Sequence, residues 1–393
     1  MAVSFYPFSF NDLMLTHDRI NQYRDNIFGH DMHAKRVHSL ANATHGVIQK
    51  GSLAIHTIGK GLATAKKLKP KSSIKQVDRL LSNPKLNVWS LFTSWVPYVV
   101  GARKQIVVSL DWTEFDSDEH SSIVLSIQTK HGRNTPLLWK THRRHGLKGN
   151  RNHYEDELLV KLREVIPQDV RVTVVADRGF GDTALFGFIQ HELHFDFIIR
   201  IKSNIKVTDA SGALFPIKAW LLPSGQTKTL KHVQITGNRQ DVARVICCKK
   251  KDMKEAWHLA SSRNDLASCK ILTLYGKRWG IETTFRDIKN DRFGMGMSAT
   301  YTRSPTRIDR LFLLSAITIG LLTLLGKAGE DADLENILKV NTSKTRTDSL
   351  FRQGCEYYEL LPGMREEWAK PLMDNFNRYL EQHHIYRSIF GII

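Results

Sequence analysis

Tyr275, Arg278, Glu282 and Lys289 are spaced three, four and seven residues apart, and on a helix that spacing keeps all four side chains on one face. Leu274, Ile281, Phe285 and Ile288 form an apolar row offset by one residue, about 100° of helical rotation. The apolar row can face a core while the polar row lines the edge of a cleft. A carboxylate held between two cations and a phenol suits a site that handles metal ions and phosphates. An ordinary amphipathic helix with a solvated charged side gives the same pattern, so the rest of the chain has to decide. Gly276 and Gly280 lie inside the stretch. Each costs a helix about 1 kcal/mol against alanine, which points to a break or to a close backbone approach.

Upstream the period changes from helix to sheet. Residues 105–112 are a β-branched run containing Asp111, and residues 122–128 and 136–141 read as two more strands around a turn at 131–134. Residues 152–165 have helical spacing. Residues 171–177 form another buried-type strand that ends in an acid, Asp177, followed by a helix to Ile189 and a strand at 195–201. Three strands, helix, strand, helix, strand is the order expected of a ribonuclease-H-like catalytic core, so the fold class is α/β. Residues 205–257 are β-rich, with a hairpin about 237–238, and read as an insertion. Trp257 opens a further strand, and Asn264 or Asp265 is the expected cap of the helical stretch that follows.

Helical regions flank this core. Asn11 or Asp12 is placed to cap a first helix to His30; a second spans 32–48, and another is entered through Ser72 or Ser73. The expected organisation is a helical DNA-binding domain at 1–100 and a core at 101–204 and 258–326. The β-rich insertion falls at 205–257, and a helical C-terminal region at 327–393 is a candidate for dimerisation. The longest apolar run, 311–326, is slightly short of the roughly 18–20 residues of a membrane span and reads as a buried core helix.

The net charge of +18 favours a polyanionic partner, nucleic acid before a membrane surface. Between residues 35 and 85 eleven Lys and Arg stand against one acid, Asp78. Within that segment Lys66, Lys67, Lys69, Lys71, Lys75 and Arg79 form the candidate DNA contact, since phosphate binding needs cations at such density. A solvated basic face is the alternative. Four cysteines without metal-ligand spacing, and no signal-peptide pattern at the N-terminus, suit a reduced, cytoplasmic protein.

The candidate chemistry follows from three acids. Asp111 and Asp177 end strands of one expected sheet, and Glu282 comes from a later helix. Converging carboxylates repel unless cations neutralise them, and hard oxygen ligands suit Mg²⁺, with Mn²⁺ able to substitute. Two such ions about 4 Å apart can activate an attacking oxygen on a phosphodiester and stabilise the leaving one. Arg278 and Lys289 would clamp phosphate oxygens, with Tyr275 bonding or packing beside them. Lys289 also fits an exposed helix end. Trp257 is a candidate platform for an extruded base, with a buried strand position as the alternative.

Tyr-x₂-Arg-x₃-Glu-x₆-Lys, matched by Tyr275, Arg278, Glu282 and Lys289, resembles the signature of the insertion-sequence-four family of DDE transposases of bacterial insertion sequences. Asp111 in Val-Ser-Leu-Asp-Trp-Thr resembles that family's first acid, Asp177 in Ala-Asp-Arg-Gly-Phe-Gly its second, and Trp257 its base-stacking tryptophan. The resemblance covers roughly 70–325. It implies a ribonuclease-H-like fold interrupted by a β insertion, and cut-and-paste transposition. In that chemistry a nick at the element end is followed by a hairpin, and the freed 3′ end is joined to target DNA. It also implies a homodimer that synapses two ends, and a nucleoid-associated, non-membrane location. A hydrolytic nuclease with the same core, such as a resolvase, and a non-enzymatic DNA-binding derivative are the competing readings.

Overall fold

The computed structural model describes residues 32–115, 119–130, 132–223, 225–236, 239–251, 253–291, 294–338 and 348–381, with Ile20 and Phe28. Asn11, Asp12 and most of the helix expected to reach His30 lie outside the described residues, as do the turn residues His131, Gly237 and Asn238. The chain divides into two compact units. One comprises residues 103–114 and 119–283; the other comprises the residues before 103, Phe115, and those from 284 onward.

The first unit is built on one ten-stranded sheet in the order β3-β2-β1-β4-β5-β10-β9-β8-β6-β7. Its strands are β1 (Gln105–Phe115), β2 (His120–Ile127), β3 (Thr135–Arg143), β4 (Arg171–Ala176), β5 (Asp196–Arg200), β6 (Lys206–Thr208), β7 (Leu214–Pro216), β8 (Thr227–Ile235), β9 (Gln240–Cys248) and β10 (Trp257–Ser261). β4 runs parallel to both β1 and β5. Val172 to Ala176 are buried at every position, so both faces of β4 are covered, which is why this strand is a continuous apolar run rather than an alternating one. In the β1–β4 register Leu110 faces Ala176 as the last pair. Asp111 comes next on β1, which runs on to Phe115 rather than ending in the acid as expected, and Asp177 is the first residue after β4, so both acids leave the paired region at one level from strands about 4.8 Å apart.

The strands between 205 and 257 do not stand apart as a separate layer. β10 pairs antiparallel with both β5 and β9, and β8, β6 and β7 continue the same sheet outward. The hairpin of β8 and β9 is longer than its apolar core suggested, extending back to Thr227 and on to Cys248. β7 ends the sheet as three residues closing on Pro216, a short edge that offers little to a pairing strand.

In the second unit the helices Ala34–Lys50, Ile55–Lys66, Pro70–Ser82 and Val88–Val100 precede the sheet in sequence, and Pro305–Asp331, Leu350–Leu360 and Glu366–Glu381 follow it. The helix expected to enter through Ser72 or Ser73 starts earlier, at Pro70 with Lys69 as N-cap, because proline's fixed φ and missing N–H suit a first helical position. The apolar run at 311–326 belongs to a longer helix of 27 residues. By length and composition it could cross a membrane, but 94% of its most apolar stretch is buried inside the protein. Gly354 lies against it so closely that a Cβ there would sit 1.8 Å from the Leu322 carbonyl oxygen, a crossing only glycine permits. Buried Arg310 of the same helix donates to the Leu86 and Leu81 carbonyls at 2.9 and 2.7 Å, satisfying acceptors where the 70–82 helix ends.

Candidate active site

The stretch from 275 to 289 is not one helix. Ser268–Gly276 and Trp279–Lys289 are separate, and the backbone between them is held by bonds three residues apart: Arg278 N to Tyr275 O, Gly280 N to Lys277 O and Ile281 N to Arg278 O, each 3.0 Å. The first helix takes Ala267 as its N-cap rather than Asn264 or Asp265. Asp265 is drawn away by arginines, accepting from Arg263 Nε at 2.8 Å and Arg171 Nη1 at 3.1 Å. The tightened turn changes which way the signature side chains point. Leu274, Ile281, Phe285 and Ile288 are all buried as the apolar row predicts, but so are Tyr275 and Arg278 from the row expected to line a cleft.

Arg278 is the hub. Its Nη1 lies 3.3 Å from Asp111 Oδ2 and its Nη2 2.7 Å from Glu282 Oε1, so one guanidinium bridges acids from β1 and from the helix. Sequence spacing assigned it to phosphate; its contacts in the structure are with the two carboxylates. Its Nε is buried with no hydrogen-bond partner among the described residues. Asp177 caps the turn after β4, accepting from Gly179 N at 2.7 Å. The carboxyl of Asp111 is pushed up to about 7, foremost by burial; Arg278 opposes this, while Asp177 and Glu282 reinforce it. Asp111 therefore feels the charge of both other acids.

This arrangement has a pH signature. An aspartate raised from 3.8 to about 7 contributes stability present below pH 4 that is lost as pH rises through 7. Asp111→Asn keeps the side-chain shape and does not titrate. In chelator it is expected to unfold at a higher temperature than the parent at pH 8, by on the order of 1–4 kcal/mol, and at the same temperature near pH 4. Thermal melts across that range check it, and a parent more stable than the variant at pH 8 would contradict the assigned burden on Asp111.

The other predicted residues are placed as follows. Tyr275 is buried in the core cluster of Val107, Val175, Ile198 and Ile246 and meets Trp257 edge to face at 4.8 Å. Burial foremost raises its phenol, opposed by Arg278. Trp257 is half-buried, opens β10 and leans on the same cluster. Lys289 ends its helix with the ammonium 5.6 Å from the Phe115 ring. Lys67, Lys69, Lys71, Lys75 and Arg79 are exposed at the end of the second and along the third helix, and Lys66 is half-buried.

Several residues that sequence spacing did not single out hold this geometry. Gln128 donates to Ser109 Oγ and to the Leu274 carbonyl, both at 3.1 Å, and Asn134 donates to Ser109 Oγ at 3.0 Å. Asn134 N also bonds the Gly280 carbonyl at 3.2 Å, and Thr283 Oγ1 bonds the Gly132 carbonyl at 2.9 Å. This polar strap from the β2–β3 loop fixes the turn that carries Arg278. Its one legible signal was Ser109, a hydroxyl inside an otherwise apolar strand. Trp279, beside Arg278, is 58% exposed with its ring 5.7 Å from the guanidinium, an unburied indole available for stacking.

The donor chemistry, three carboxylates and no thiolate or imidazole, fits a hard divalent cation. Among the described residues no three Asp, Glu, His or Cys side chains lie close enough to hold one together, and the Arg278 guanidinium bridges Asp111 and Glu282. Asp111 and Asp177 come from adjoining parallel strands inside the sheet, and Glu282 from the helix that also carries Arg278's second contact. The chain belongs to the transposase DDE domain family, whose model matches residues 103–320. No curated protein matches it.

Proposed function

We propose that this transposase is a cut-and-paste enzyme of the insertion-sequence-four type, with Asp111, Asp177 and Glu282 as its catalytic acids. The observation that carries the reading is the β1–β4 register, which ends in Leu110 opposite Ala176 and so puts Asp111 and Asp177 side by side. The strand order 3-2-1-4-5, with the parallel pairs β1–β4 and β4–β5, supports a ribonuclease-H-like core, and the strands β6 to β9 fall between β5 and the helix of Glu282 where an insertion is expected.

In this reading the three acids would hold divalent cations, Mg²⁺ by preference. When bound these supply an activated attacking oxygen and stabilise the leaving oxygen of a phosphodiester. The protein's own part is to present carboxylates at fixed positions and to keep them neutralised beforehand. Arg278 does the second by bridging Asp111 and Glu282. With that charge neutralised by bound cations, Arg278 would be free to pair with a phosphate, the role its place in the signature suggests. Trp257 offers a half-buried indole face for a displaced base, Tyr275 supports it edge-on, and Lys289 pairs with phosphate. The exposed cations from Lys67 to Arg79, with Lys66, grip DNA backbone without reading sequence. Two chains synapse two element ends.

Joining of a pre-cleaved element end to a target plasmid tests the reading against a hydrolytic nuclease with the same core. The expected result is a covalent end–target product that needs Mg²⁺ or Mn²⁺. Cleavage without any joined product would replace the transposase reading by the nuclease one.

A further inference from the structure

From His142 to His153 the chain carries four Lys or Arg and three His with no acid among them. Arg144, Lys148 and Arg151 from this stretch line a cavity of about 580 Å³ together with Leu147, Asn152 and Glu114. Glu114 is its one acid. Arg151 Nη2 lies 3.2 Å from Glu114 Oε1, and Arg144 Nη2 lies 3.7 Å from Oε2. Two guanidinia thus converge on one carboxylate that is itself 45% exposed, and Lys148 adds a third positive charge. The wall is stiff. Arg151 lies 5.2 Å over the Trp112 ring, and Trp112 Nε1 is anchored on buried Glu155 at 2.8 Å.

The pocket lies on the face of β1 that Trp112 and Glu114 share, opposite the face of Asp111, and it reaches the loop after Asp177. Trp112 and Glu114 follow Asp111 on β1, and Asn152 Nδ2 bonds Asp182 Oδ2 at 3.2 Å on the loop that leaves Asp177. A fork of arginines closed on an exposed carboxylate is the geometry that also takes a phosphate, which offers the same planar pair of oxygens. With three cations against one acid, the pocket stays positive even with Glu114 in place.

We propose that this pocket seats a DNA backbone phosphate, and that Glu114 occupies the seat in the free protein and is displaced when DNA binds. The proposal rests on the DNA-processing reading above and adds a phosphate contact outside the acid site. It requires that removing the charge of Glu114 strengthens binding, whereas removing cations weakens it.

Fluorescence anisotropy of a labelled generic duplex across a KCl series, with the full chain, measures both. Lys148→Gln with Arg151→Gln is expected to weaken binding about three- to thirtyfold and to flatten the log–log salt slope by about one to two. Glu114→Gln is expected to bind roughly two- to tenfold more tightly, a gain that misfolding cannot produce. Affinities and slopes equal to the parent's in both variants would overturn the proposal. Because the readout needs no cleavage, failure of this site and failure of the transposase reading are separate results.

Discussion

Asp177→Asn is expected to reduce metal-dependent DNA cleavage on the order of 10³-fold or more while leaving duplex binding within a few fold. Asparagine has the shape of aspartate and keeps an oxygen to accept from Gly179 N, so the cap of the turn after β4 survives and only the charge is lost. Glu282→Gln is expected to behave alike. It leaves Arg278 its contact with Asp111, and the glutamine oxygen can still accept from Nη2. A structural role for either acid predicts the reverse pattern, with altered melting and binding but cleavage falling only in proportion to folded protein. Cleavage of labelled duplex in Mn²⁺, scored beside anisotropy and thermal melts, distinguishes them. Near-parental cleavage in the Glu282 variant would remove that residue from the catalytic set.

Gly280→Ala is expected to be the most damaging single methyl group in the site, and Gly276→Ala close to harmless. A Cβ at 280 would lie 2.1 Å from Asn134 Oδ1 and 2.9 Å from its Cγ, and Asn134 is only 2% exposed. The amide cannot retreat without giving up Ser109 or the bond from its own N–H to Gly280 O. Overpacking and a broken buried hydrogen bond together cost on the order of 2–4 kcal/mol. The damage falls on the turn that aims Arg278 and Glu282, so activity should drop further than stability. At 276 the added methyl meets only the Trp257 ring at 3.6 Å, an ordinary contact, and helix propensity favours alanine by up to about 1 kcal/mol. Melting temperature and cleavage rate of the two variants are the measurement. Equal effects at both positions would mean that the strap from the β2–β3 loop does not hold the turn.

The sheet was legible because burial on both faces leaves a direct mark. The apolar runs at 105–110 and 172–176 had no other stable place than the middle of a parallel sheet, and the acids that follow them marked where the pairing of β1 with β4 ends, though β1 itself runs on to Phe115. The continuation of that sheet through β10 into β9, β8, β6 and β7 was not legible as such. Strand pairing partners are set by backbone hydrogen bonds, which carry no residue signature, so a β-rich stretch reads the same whether it forms its own layer or extends another. The cap expected at Asn264 or Asp265 was misread for a different reason. A capping side chain acts only if nothing stronger takes it, and Arg263 and Arg171 take Asp265.

The signature stretch shows the division most clearly. Its spacing alone determined that Glu282 belongs with Arg278, four residues away, and that Leu274, Ile281, Phe285 and Ile288 face a core. Its glycines signalled that the helix would not run straight. Only the tertiary structure decided that the chain tightens between Tyr275 and Ile281, that Tyr275 turns into the core, and that Arg278 spans to Asp111, 167 residues away in sequence. The physical reason is range. Helical spacing and burial preference act within a few residues and are written in the chain. The neighbouring exits of Asp111 and Asp177 and the bridge of Arg278 to Asp111 depend on the register of two parallel strands and on one close contact at Gly280, which exist only once the sheet has formed.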